Sequence, residues 1–90
     1  EGPTITTSMK GGNYKLGSII SVASATAYDN IDGNVKVYTY LICPNFAVEV
    51  VKDGSFKARE VGVYTVRYVA FDSNGNTSYK DFEITVGGNK

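Results

Sequence analysis

From Val63 to Asp72 the chain alternates without interruption. Tyr64, Val66, Tyr68 and Ala70 fall on one side of an extended backbone, and Val63, Thr65, Arg67, Val69 and Phe71 on the other. Few other patterns restrict a fold so tightly, because a helix would scatter both sets around its circumference, whereas a strand buries one set whole. The first set is assigned to the core. A second run, Tyr79–Val86, has the same period, with Phe82, Ile84 and Val86 on the inward side and Asp81, Glu83 and Thr85 on the outward side.

The rest of the chain is cut into short runs by Gly, Asn, Asp or Pro at intervals of about ten residues, and helical periodicity is nearly absent. Strands are expected over Thr4–Thr7, Ser18–Tyr28, Val35–Ile42, Ala47–Lys52, Ser55–Ala58, Val63–Asp72 and Tyr79–Val86. Turns are expected at Lys10–Asn13, Asp29–Asn34, Pro44–Asn45, Asp53–Gly54 and Ser73–Asn76. Asp53-Gly54 is the sharpest hairpin signal among them, since a tight turn there needs the positive φ that Gly accepts. About seven strands at this spacing predict an all-β sandwich of two sheets. Ala23, Ala25 and Ala27 share one face, where small side chains would accommodate the large Tyr64 and Tyr68 rings. Ninety residues suit one domain, placed at residues 1–86, with 87–90 read as a linker or tail.

Composition narrows the chemistry. Nine basic and nine acidic residues cancel, so the long-range field that gathers nucleic acid or anionic lipid is missing. No apolar run approaches the roughly 20 residues of a membrane span, and the N-terminus lacks the order of a signal peptide. With no histidine, the usual general base near neutral pH and the commonest metal ligand are both absent. Cys43 is the only cysteine, so no internal disulfide forms, and the role of a half-buried small hydrophobe is expected for it. Gly11-Gly12-Asn13 is followed by neither a helix nor a Lys-Ser/Thr pair and is read as a plain turn, not a phosphate cradle. A paired-carboxylate glycosidase would need a cleft that this chain does not suggest, and no enzymatic activity is expected.

The run Glu60-Val61-Gly62-Val63-Tyr64-Thr65-Val66 resembles the acidic-x-Gly-x-Tyr-x-Cys run that opens strand F of immunoglobulin domains, with Val66 in the place of the cysteine. The resemblance widens over Gly62-x-Tyr64-x-Val66-x-Tyr68-x-Ala70-x-Asp72-x-x-Gly75-Asn76, preceded by Ala25-Thr26-Ala27-Tyr28-Asp29-Asn30-Ile31-Asp32-Gly33. Together these are similar to bacterial immunoglobulin-like domains of the kind repeated in surface proteins, glycoside-hydrolase accessory regions and pesticidal crystal proteins, related in outline to the hyalin repeat. The similarity spans about Thr4 to Val86, with Pro44 and Phe56 also in place. Cys43 and the apolar Ala47–Val51 run are not part of it. It implies an immunoglobulin-like Greek-key sandwich of about seven antiparallel strands, and a tyrosine corner in which the Tyr64 hydroxyl bonds nearby backbone.

Two candidate sites follow. In such a sandwich the turns at Asp29–Asn34 and Ser73–Asn76 lie at the same end, which would gather Asp29, Asp32, Asp72 and Asn74. Oxygen donors of this kind suit Ca²⁺, although Asp and Asn in turns more commonly cap their own backbone. The second candidate is an interaction surface of Tyr38, Tyr40, Arg67, Val69 and Phe71, on adjacent strands and facing away from the core.

The expected role is a non-catalytic module of a larger extracellular, bacterial cell-surface or virion protein, acting as a spacer or as a protein-interaction or adhesion domain. Its partners would be neighbouring modules of the same chain and a protein or glycan ligand, with no nucleic acid and no membrane insertion. The alternative is a carbohydrate-binding accessory domain that uses exposed tyrosines.

Overall fold

The computed structural model describes residues 2–51 and 54–87. It is all-β, with strands β1 (Thr4–Thr7), β2 (Gly12–Lys15), β3 (Ile19–Ser21), β4 (Ala25–Asp29), β5 (Gly33–Val35), β6 (Val37–Ile42), β7 (Val48–Val50), β8 (Ser55–Lys57), β9 (Gly62–Phe71) and β10 (Thr77–Gly87). Strands β2-β10-β9-β6-β7 form a five-stranded sheet, β1-β4-β5 a three-stranded sheet and β3-β8 a two-stranded one.

The period-2 pattern of β9 sets the core. Tyr64, Val66, Tyr68 and Ala70 are buried, as are Ile84 and Val86 of β10 and Leu41 of β6. They meet Ile5, Ile20 and Ala27 from the two smaller sheets, and Val22 just after β3, in a single apolar cluster, a sandwich-like arrangement. Full burial of side chains such as Val66, Ile84 and Ile20 contributes about 1.5–3 kcal/mol each. The Tyr68 ring meets Phe82 edge-on at 5.9 Å, and its hydroxyl donates to the Ala23 carbonyl; Ala27 belongs to the same core cluster as Tyr68, with Ala23 and Ala25 packed against that cluster.

Several expectations need correction. The predicted Ser18–Tyr28 strand is two strands, β3 and β4, separated by residues whose carbonyls leave the ladder. The Tyr68 hydroxyl takes that of Ala23, and the Thr7 hydroxyl that of Ser24. The predicted Val35–Ile42 strand also divides, because β5 pairs back onto β4 while β6 joins β9 in the larger sheet. The Lys10–Asn13 turn gives way to strand β2, which pairs parallel to β10, with Ile84 opposite Gly12 and Gly87 opposite Lys15. Among the described residues the strands therefore number ten against the expected seven or so, and one ladder is not antiparallel. The expectations for Lys52, Asp53 and the tail at 88–90 lie outside the described residues.

The corner before β9 is fixed from two sides. The Tyr64 hydroxyl accepts the backbone N–H groups of Arg59 at 3.1 Å and Glu60 at 3.0 Å. Gly62 holds φ 141° with Pro44 lying 2.8 Å from where a Cβ would sit, so any side chain there would be both strained and obstructed.

Candidate functional site

The outward parity of β6 and β9 forms one continuous surface. Tyr38 lies opposite Val69 and Tyr40 opposite Arg67 in the β6–β9 ladder. Val69 in turn faces Tyr79, and Arg67 faces Asp81, across β9–β10. Across β6–β7, Val50 lies beside Tyr40 and Val48 beside Ile42. Residues directly opposite in a ladder project to the same side, so β7, β6, β9 and β10 share a face of Tyr38, Tyr40, Ile42, Val48, Val50, Val69, Phe71 and Tyr79 around one ion pair. Phe71 is 48% exposed, Val50 59% and Tyr79 63%.

Rings and charges on this face are engaged with one another. Tyr38 and Phe71 stack with centroids 5.6 Å apart and planes 1° from parallel, and the Lys36 ammonium lies 5.1 Å from the Tyr38 ring. Arg67 donates to both carboxylate oxygens of Asp81, at 2.7 and 2.8 Å, while its guanidinium lies 5.1 Å from the Tyr79 ring. The bond to Asp81 raises the Arg67 pKa above its ordinary value, and the side chain stays charged. Tyr38, Tyr40, Arg67, Val69 and Phe71 are thus brought onto one sheet face. Sequence reasoning omitted Val48, Val50, Ile42 and Tyr79 from that face. Tyr79 shares the parity of Asp81 and was legible, whereas placing Val48 and Val50 required the register of β7.

The turns carrying Asp29, Asp32, Asp72 and Asn74 also converge, and their oxygens meet N–H and O–H donors. Asp29 Oδ2 accepts the backbone N–H groups of Ile31 and Asp32, at 2.9 and 3.0 Å. Asp32 reaches across to the other turn, accepting the backbone N–H of Ser73 at 2.7 Å and its hydroxyl at 2.9 Å. Asp72 Oδ1 accepts the N–H groups of Asn74 and Asn76, and Oδ2 accepts the Asn76 amide. The Asn76 side-chain bond, followed by the backbone bonds from Asn76 and Asn74, holds the Asp72 carboxyl below its ordinary pKa despite partial desolvation. A shallow cavity of about 240 Å³ touches Asp29, Asp72 and Asn74. Among the described residues, no group of three or more His, Cys, Asp or Glu side chains is disposed to hold a metal ion. The geometry is that of turn capping.

A third feature has no counterpart in the sequence reading. Between β7 and β8 lies a cleft of about 300 Å³, lined among others by Leu41, Cys43, Glu49, Phe56, Glu60 and Tyr64. Phe56 and Tyr64 form a tilted pair with centroids 5.1 Å apart. Cys43 is a free, buried thiol. Burial, then the Glu49 and Glu60 carboxylates, push its pKa up against a smaller opposing effect of Arg59, which disfavours the reactive thiolate. No family model matches this chain, and no curated protein matches it.

Proposed function

We propose that this chain is an immunoglobulin-like, non-catalytic module of an extracellular, cell-surface or virion protein, and that it docks a protein partner through the outer face of its five-stranded sheet. The observation that carries this reading is the breadth of that face, where apolar and aromatic side chains run from β7 to β10 with half-exposed to exposed rings. Exposed apolar patches of several hundred Å² generally mark interaction sites. Arg67, Tyr38 and Tyr79 belong to the residue types that dominate protein interfaces, and the Arg67–Asp81 pair would fix orientation at the centre.

Support for the immunoglobulin-like topology comes from the Tyr64 corner bonds and from the sheet order β2-β10-β9-β6-β7 opposite strands β1, β3, β4 and β8. A spacer role is favoured by shape. The molecule measures 50 × 22 × 19 Å, with Gly2 beside Thr77 and Ser78 at one end and Gly87 beside Lys15 at the other. In this reading the aspartates rigidify the entry end and are not cation ligands.

A protein partner is favoured over a glycan because the aliphatic Val48, Val50 and Val69 share this face with the rings, and Tyr38 is stacked on Phe71, so the face is a mixed apolar surface and not an aromatic platform. The test is binding of the module to panels of purified extracellular proteins and of glycans, with Val69→Lys and with Ile19→Lys on the opposite side. Saturable protein binding lost in Val69→Lys and kept in Ile19→Lys is expected. Binding indifferent to Val69, or glycan binding abolished by Tyr38→Ala, would overturn the reading.

A further inference from the structure

Of the chain's asparagines, Asn74 alone is followed by glycine. The others precede Tyr14, Ile31, Val35, Phe46, Thr77 and Lys90, whose side chains crowd the backbone nitrogen. The Cγ of an asparagine and the backbone nitrogen of the next residue can close a five-membered ring. Closure needs a side chain free to turn and an unhindered nitrogen, and glycine, with no Cβ, offers the second.

The fold leaves Asn74 open to this reaction and restrains it through one bond. Asn74 and Gly75 are exposed in the turn between β9 and β10. Among the described residues, Asn74 is held through its backbone N–H alone, which donates to Asp72 Oδ1 at 2.9 Å, so its carboxamide is free to turn. Gly75 holds φ 88°, and apart from its chain neighbours no atom lies within 4 Å of where a Cβ would sit. The restraint is the Gly75 N–H, which donates to the Asp72 carbonyl at 3.1 Å, toward the long end of such bonds. A nitrogen whose proton is shared in this way attacks only when the bond opens. Asp32-Gly33 has the opposite setting. Both Asp32 oxygens are engaged by Ser73, at 2.7 and 2.9 Å, so that side chain is not free to turn on Gly33, and an ionised carboxylate is a poor electrophile besides.

We propose that Asn74 is a site of spontaneous covalent modification, converted through attack by Gly75 to aspartate and isoaspartate with water as the only co-reactant. The Gly75 backbone nitrogen bonds to the Asn74 Cγ, the Cγ–Nδ2 bond breaks, and the side-chain nitrogen leaves as ammonia carrying the proton that Gly75 gives up. Water then opens the cyclic imide by adding to one of its two carbonyl carbons, and the Gly75 nitrogen released from that carbon takes a proton back. Addition at Cγ gives aspartate. Addition at the backbone carbonyl gives isoaspartate, in which the main chain runs through Cβ and Cγ. Either product brings a new negative charge to the cavity that Asn74 shares with Asp29 and Asp72. The isoaspartyl link also lengthens the chain by one carbon inside the turn. Asp72 Oδ1 accepts N–H groups on both sides of that link, from Asn74 and Asn76 at 2.9 Å each, and the two cannot both keep their places. The modification therefore loosens the end of the molecule that the aspartate turns brace.

The test is ageing of the intact chain in mildly alkaline buffer, followed by peptide mapping with an assay for isoaspartate. The mass gain of an amide-to-acid exchange is expected at position 74 before any other asparagine, with isoaspartate among the products. Asn74→Gln should show no such gain at this position, because its longer side chain closes a larger ring more slowly. The same chain unfolded in urea should react about two- to tenfold faster, the factor that one exposed turn hydrogen bond supports. In the aged product, separated by its added charge, amide exchange at Asn76 should quicken and the denaturation midpoint should fall. The proposal is overturned if position 74 stays intact in the folded chain while it converts in urea, or if another asparagine converts first. Equal rates in the folded and unfolded chain, or unchanged exchange at Asn76 in the isoaspartyl product, would also overturn it.

Discussion

The Tyr64 hydroxyl receives two backbone N–H bonds at a buried corner, so removing that one oxygen orphans both donors. Tyr64→Phe is expected to cost about 1–3 kcal/mol, read as a lower denaturation midpoint at unchanged slope. Asp72 predicts a pH dependence. Its folded pKa lies below the ordinary carboxylate value, so its contribution is complete above about pH 4 and is lost as pH falls through the depressed folded value. The melting temperature should therefore drop in that acidic window, and the drop should be shallower in Asp72→Asn. Both residues were conspicuous in sequence: Tyr64 through its spacing from Gly62, Asp72 as the polar end of an apolar run. The partners of Asp72 were less so, because Asn76 matters through a side-chain bond that only the folded turn creates.

Among elements, the hairpin between β6 and β7 and the tie between the aspartate turns each invite a substitution. Cys43 and Phe46 close a turn in which Phe46 takes the left-handed position that Gly normally fills, with φ 69° and 84% exposure. Phe46→Gly should stabilise the protein by about 0.5–1 kcal/mol in chemical denaturation, since it relieves backbone strain and removes little packing. Asp32→Ala removes the bonds that join its turn to Ser73 and should cost about 1 kcal/mol, with faster amide exchange at Ser73 and Asn74. The long strands β9 and β10 were readable because their period is unbroken. Strand β2 was not, because Gly11-Gly12-Asn13 has the composition of a turn, and its strand character comes from lying against β10, where Gly11 sits so close to the Glu83 carbonyl that a Cβ would overlap it. The break between β3 and β4 was equally hidden, since it depends on hydroxyls from Thr7 and Tyr68, distant in sequence. For the outer face, parity placed Tyr38, Tyr40, Arg67, Val69 and Phe71 together, but its width became visible only with the register of β7 and β10. The cleft was invisible for a related reason: Glu49 reads as a surface acid until its place opposite Leu41 is known.

For the molecule as a whole, the parallel pairing of β2 with β10 has a mechanical consequence. Tension applied between Gly2 and Gly87 would draw β2 upward through the chain that precedes it and β10 downward from its C-terminal end. The ladder of Gly12–Lys15 against Ile84–Gly87 would then be loaded along its length, not opened from one end. Bonds strained in shear give way together, whereas bonds strained in peeling fail one at a time. In single-molecule pulling between the termini, unfolding is expected in one abrupt step, and Asn13→Pro, which alters this ladder, should lower the force required. A short strand with the composition of a turn would thereby act as the latch that decides how much load the protein carries.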